Sequence, residues 1–163
     1  MTKAVFLDRD GVLNVKRNDY VKDLGELQIL PDISKAIKKL NGWGYLVFII
    51  TNQSIINRKI ISQQKLEQIN EFLLSNISKG GAKVEKIYYC PHRPDENCVC
   101  RKPSPGLLFQ AIKEYEISPS KSIFIGDDWT DIEAAKQANV RGLKIETNGD
   151  LLEFINNNLL NGD

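Results

Sequence analysis

The chain lacks any apolar run near the roughly 20 residues needed to cross a bilayer, and its amino end carries no long apolar region of the secretory type. It also lacks a basic stripe interleaved with aromatics. Its 22 Lys and Arg are interspersed with 21 Asp and Glu, leaving a net charge of +1, so no nucleic-acid partner is expected. No repeat, low-complexity linker or shift of composition divides the 163 residues. Three cysteines, an odd number, argue against a disulfide framework. The expectation is one domain spanning 1–163, cytoplasmic and monomeric, acting on a small molecule with no membrane or nucleic-acid partner.

What is present alternates. Val5 to Leu7, Leu46 to Ile50, Val84 to Tyr89, Ser122 to Ile125 and Gly142 to Ile145 read as short, nearly continuous apolar strands. Between them, Ile33 to Leu40, the series Leu66, Ile69, Phe72, Leu73 and Ile77, the series Leu107 to Tyr115, and Ile132 to Ala138 have helical spacing. A terminal helix is predicted from Leu151 to Leu160. Such alternation predicts an α/β fold, a doubly wound parallel sheet covered on both faces. Ligands of such sheets bind beyond the carboxyl ends of the strands. Asp8, Thr51 and Asp127 each fall at one of those ends. Two irregular stretches, Val15 to Pro31 and Cys90 to Pro105, are the places for substrate contacts. Trp43, between a helix and a strand, reads as a packing residue.

Asp8-Arg9-Asp10-Gly11 places two carboxylates two residues apart at the exit of a buried strand. Asp-Gly is a common turn pair, but polar residues after two further strands point to a shared crevice. One carboxylate can attack phosphorus while the other handles a proton. A phosphate monoester is a dianion and repels a carboxylate nucleophile, so a divalent cation is needed, and an oxygen-rich acidic site suits magnesium. In this reading Asp8 forms an aspartyl-phosphate. Asp10 protonates the leaving oxygen and then activates water. Asp127 completes the metal site, Thr51 hydrogen-bonds a phosphoryl oxygen, and Lys102 neutralises the transferring group.

All three cysteines and the only histidine lie between positions 90 and 100. Cys90, His92, Cys98 and Cys100 are a Cys3His set, enough to close a structural tetrahedral zinc site with no open position. The loop runs straight into Arg101 and Lys102, so zinc would position both cations. A non-catalytic zinc-stabilised binding module is the reading from another class, but such a module has no need of the second Asp. Lys16 and Arg17 either grip a second phosphate or form a solvated pair. Asn156-Asn157-Asn158 reads as a fraying helix end.

Four stretches in order, Phe6 to Asn14, Thr51-Asn52-Gln53-Ser54, Arg101-Lys102-Pro103 and Gly126-Asp127-Asp128, resemble the motifs of the haloacid-dehalogenase-like phosphatases. The resemblance runs from about Val5 to Ile145. It implies a Rossmann-like core without a large cap domain, magnesium, Asp8 as nucleophile and Asp10 as acid and base. It implies metal contacts from the Asp8 carboxylate, the Asp10 backbone carbonyl and Asp127, with Asp131 supporting the loop. Cys-Pro-His followed by Cys-x-Cys-Arg-Lys-Pro is similar to the subgroup of D-glycero-D-manno-heptose 1,7-bisphosphate phosphatases and histidinol-phosphate phosphatases. Ser54-x-x-x-Arg58, the run Arg101 to Gly106 and Tyr20-Val21 resemble the heptose branch, which removes the phosphate at C7. The short zinc loop resembles the histidinol branch, and Ile55 and Lys59 stand where the heptose pattern has glycine. The resemblance implies substrate contacts from Asn52, Ser54, Arg58, Arg101 and Asp128, with Lys102 on the phosphoryl group.

Overall fold

Strand β1 (Ala4–Leu7) has no exposed residue, and its burial explains the rest of the architecture. The computed structural model describes residues 2–159. β1 lies between β2 (Leu46–Asn52) and β4 (Ile123–Gly126), pairing in parallel with both. Outside these lie β3 (Lys86–Cys90) and β5 (Arg141–Lys144), giving the all-parallel order β3-β2-β1-β4-β5.

Parallel strands need crossovers, and the helical periods supply them. α1 (Ile33–Gly42), α2 (Gln63–Lys79) and α5 (Leu151–Asn158) pack on one face, against Val5, Leu7, Val47, Ile49, Ile123 and Ile125. α3 (Gly106–Glu114) and α4 (Trp129–Gln137) pack on the other, against Ala4, Phe6, Phe48, Ile50, Tyr88 and Phe124. Strand residues alternate strictly between the two cores, as the two-residue period of a strand requires. The central strands can be apolar throughout because both faces are covered.

Several boundaries differ from the sequence expectation. β3 starts at Lys86 and runs to Cys90 rather than from Val84 to Tyr89, so the first cysteine sits on the strand opposite Asn52. β4 starts at Ile123, and just before it the Ser122 hydroxyl accepts from the Ala4 amide at the start of β1 and donates to the Ser118 carbonyl. β5 begins at Arg141 and ends at Lys144. α4 begins at Trp129, three residues before Ile132. There Asp128 accepts from the Thr130 amide while Asp131 accepts from the Asp128 amide, a reciprocal cap that satisfies donors a helix start leaves free. α5 ends at Asn158, and Leu160, expected in that helix, lies outside the described residues. No helix among the described residues is long and apolar enough to cross a membrane.

The chain steps outward from β1 through β2 to β3, then returns to lay β4 on the other side of β1. The sheet therefore switches direction between β1 and β4, where doubly wound folds open a crevice. The 15–31 stretch folds over this end, pinned by Val15 to Gln28 and Leu30 to Leu13 backbone bonds. Among the described residues there is no cap domain beyond such loops.

Candidate active site

Three neighbouring strand ends build the site. Asp8 follows β1, Thr51 lies at the end of β2, and Asp127 follows β4. Asp8 and Thr51 border a crevice of about 520 Å³, lined also by Asp10, Lys16, Arg17, Tyr20, Asn52, Gln53, Arg101, Lys102, Asp128 and Trp129, and the buried carboxylate of Asp127 lies within 4.8 Å of that of Asp8. Gly11 makes the close approach possible. It has φ +89°, and a Cβ there would lie 2.4 Å from Asp127 Oδ2.

Lys102 reaches into the floor of the crevice and is 3% exposed. Its Nζ lies 3.0 Å from Asp8 Oδ1, 2.9 Å from the Ile50 carbonyl and 2.6 Å from Asp131 Oδ1. Burial alone would lower the Lys102 pKa, but Asp8 and Asp131 outweigh it and raise it. Burial pushes the Asp8 carboxyl up to about 8. Lys102 opposes that rise, while Asp131 and Asp10 add to it.

Asp10 is also in a buried setting, yet its carboxyl is held below the usual range. Burial pushes it up, and the Arg9 charge together with bonds from Asn14, Arg9 and Gln53 outweighs that push. Oδ1 accepts from Arg9 Nη2 and Asn14 Nδ2, both at 3.0 Å. Oδ2 accepts from Gln53 Nε2 at 2.8 Å, and Gln53 also donates to Thr51 Oγ1 at 2.8 Å.

The side chain of Asp127 is fully buried. Its Oδ2 accepts from Lys16 Nζ at 3.2 Å and Thr147 Oγ1 at 2.9 Å. Its Oδ1 is buried with no partner among the described residues. An orphaned buried carboxylate oxygen is costly, and here it belongs to a group in which oxygens of Asp8, Asp127 and Asp131 lie within 4.8 Å of one another. Hard oxygen donors of this kind fit a magnesium ion. Both oxygens of Asp131 are engaged, Oδ1 by Lys102 and Oδ2 by the Asp128 amide. Asp8 bonds Lys102 and the Arg9 amide through Oδ1, and Asp127 bonds Lys16 and Thr147 through Oδ2, so Asp8 Oδ2 and Asp127 Oδ1 are the oxygens that can serve.

Cys90, His92, Cys98 and Cys100 converge beside the crevice. Five of the six donor pairs lie 2.9 to 3.6 Å apart, and all lie within 4.8 Å. A zinc with Zn–S bonds of about 2.3 Å needs tetrahedral edges of about 3.7 Å, so the donors fit. Burial raises Cys98, but the Arg101 amide and neighbouring groups outweigh it and bring the thiol down to about 7, whereas burial pushes the Cys90 and Cys100 thiols up, so a metal would have to displace their protons. Arg101 Nη1 donates to the His92 carbonyl at 3.2 Å, so the loop holds this cation over the crevice.

The sequence candidates do not all meet here. Lys16 and Arg17 border the crevice, but Arg17 turns to Asp19 and Glu26. Ser54 and Arg58 are not in its wall. The chain after β2 turns tightly, Ile55 buries completely, and Arg58 points outward with its Nε on Ser54 Oγ at 3.1 Å. Lys59 takes φ +59°, the left-handed conformation that glycine adopts freely, so the turn keeps its shape without the glycine. Sequence reasoning missed Arg9, Asn14, Gln53, Asn70 and Thr147. Arg9, Asn14 and Gln53 sit inside the singled-out motifs, so motif position was a signal for those three. Trp43 packs against the core beside Lys39.

The fold and the site define a class, and the chain belongs to it: residues 7–139 match the haloacid dehalogenase-like hydrolase family. The chain is 37% identical over 155 residues to a D-glycero-beta-D-manno-heptose-1,7-bisphosphate 7-phosphatase from Pasteurella multocida, covering 91% of this chain and 84% of the relative. It is 40% identical to the enzyme of that name from Haemophilus ducreyi, covering 85% and 80%. Its structure is similar to that of a D,D-heptose 1,7-bisphosphate phosphatase from B. bronchiseptica crystallised with magnesium and phosphate, with a TM-score of 0.86, 31% identity and coverage of 98% and 88%.

Proposed function

We propose that this protein is a magnesium-dependent phosphomonoester hydrolase that removes the C7 phosphate from D-glycero-β-D-manno-heptose 1,7-bisphosphate. The observation that carries the chemistry is the pairing of Asp8 with Lys102 at 3.0 Å beside the unpartnered Oδ1 of Asp127. The names of the relatives carry the choice of substrate over histidinol phosphate.

Magnesium held by the Asp8 carboxylate, the Asp10 carbonyl and Asp127 would offset the repulsion between a phosphate dianion and Asp8. One oxygen of Asp8 attacks phosphorus. The bond from phosphorus to the sugar oxygen breaks, and Asp10, which takes up a proton as the dianionic substrate binds although Arg9 holds its carboxyl low in the free protein, gives that proton to the oxygen. Lys102, and the hydroxyl of Thr51, meet the charge on the phosphoryl oxygens. Water then attacks the aspartyl-phosphate, loses its proton to Asp10, and releases inorganic phosphate while restoring Asp8. Asn52 and Asp128 border the substrate, and Arg101 and Lys16 offer charge to the phosphate that does not react.

In this reading Cys90, His92, Cys98 and Cys100 hold a structural zinc that fixes the loop carrying Arg101. The protein acts as a single-domain monomer. The test is phosphate release from the heptose bisphosphate and from histidinol phosphate, with and without magnesium.

A further inference from the structure

We infer that Asn70 and Arg9 are positioning residues that hold the carboxylate of Asp10 in its working place, an inference that rests on the phosphatase reading above. The Arg9 side chain is 1% exposed. A guanidinium so buried needs strong partners, and it has two, in opposite directions. Nη2 donates to Asp10 Oδ1 at 3.0 Å, and Nη1 donates to Asn70 Oδ1 at 3.0 Å. Its Nε has no partner among the described residues. The side chain is thus a strut from α2 to the acid-base residue.

Asn70 is otherwise out of place. It is 6% exposed on the face of α2 that buries Leu66, Ile69, Leu73 and Ile77. An apolar residue there would pack without a polar group to satisfy. Among the described residues its side chain bonds Arg9. Asp10 needs such a brace because it sits in a turn before Gly11, with its side chain about a quarter exposed. Its other two anchors, Asn14 and Gln53, are neutral and come from loop and strand-end segments. Arg9 is the charged anchor, and Asn70 ties it to a long helix.

The two half-reactions depend on Asp10 differently. Expelling a sugar alkoxide requires its proton, whereas expelling a dinitrophenolate does not. Hydrolysis of the aspartyl-phosphate requires it as base with either substrate. A residue that merely supports packing would lower all steps together.

The experiment compares Asn70→Leu, Asn70→Asp and the double variant Arg9→Met/Asn70→Leu with the unaltered chain, using the heptose bisphosphate and dinitrophenyl phosphate at saturating magnesium. The double variant replaces both buried partners by apolar groups, a change that folds with little penalty. Asn70→Leu and the double variant should lose about tenfold or more in kcat on the sugar phosphate, with KM little changed. On dinitrophenyl phosphate they should release a fast burst of one dinitrophenolate per chain and then turn over slowly. Asn70→Asp keeps an acceptor for Arg9 and should stay within about threefold of the unaltered chain on both substrates. Equal loss on both substrates without a burst, or unchanged kcat in the folded double variant, overturns the inference. An unaltered chain that hydrolyses neither substrate overturns the phosphatase reading itself.

Discussion

Asn52 and Lys102 are joined by two reciprocal bonds. Asn52 Nδ2 donates to the Lys102 carbonyl at 3.1 Å, and the Lys102 amide donates to Asn52 Oδ1 at 3.0 Å. The pair links the end of β2 to the segment leaving the cysteine loop, and it fixes the root of the side chain whose tip meets Asp8.

Asn52→Leu should therefore retain the fold and lose catalysis. Both Lys102 backbone groups lose their partner, and small misplacement of a catalytic group costs about tenfold to a hundredfold in rate. Circular dichroism and kcat measured together check this. Unchanged kcat in the folded variant contradicts it.

Asp8→Asn should abolish turnover and alter how stability varies with pH. Burial holds Asp8 up to about 8 in the metal-free protein, against about 3.9 in an unfolded chain. Between those values the folded protein keeps a proton that the unfolded chain has lost. Stability then falls as pH rises through that window. The amide has no proton to lose, so the variant should show a smaller fall. The check is Tm of both proteins at about pH 6 and about pH 8 without magnesium. Parallel falls in the two proteins contradict the assignment.

Protein purified without added metal should carry one zinc per chain, separate from exchangeable magnesium, because thiolates prefer zinc and carboxylates prefer magnesium. Chelation of that zinc should expose three reactive thiols and lower activity by releasing Arg101 from the His92 carbonyl. Elemental analysis with thiol titration tests this. Absence of zinc with all three thiols free under native conditions contradicts it.

The sheet, its helices and the acidic strand ends were legible because they are local signals. A strand apolar at every position, as in Val5 to Leu7, states its own burial, and the polar residue that follows states where the crevice lies. The left-handed turn at Lys59 was not legible, since Lys carries no glycine-like cue. Nor was the outward turn of Arg58, which follows from the burial of Ile55. The Arg9 to Asn70 bond spans 61 positions and exists only once α2 docks on the sheet. Thr147 meets Asp127 only because β5 lies beside β4. Contacts made by docking leave no periodic trace in the chain.

The most direct test of the account is phosphate release from D-glycero-β-D-manno-heptose 1,7-bisphosphate in the presence of magnesium. The expected result is one phosphate per sugar, taken from C7, a 1-phosphate product, and a kcat/KM well above that for histidinol phosphate. Release from C1, or a preference for histidinol phosphate, contradicts the substrate, and no magnesium-dependent release from either compound contradicts the account as a whole.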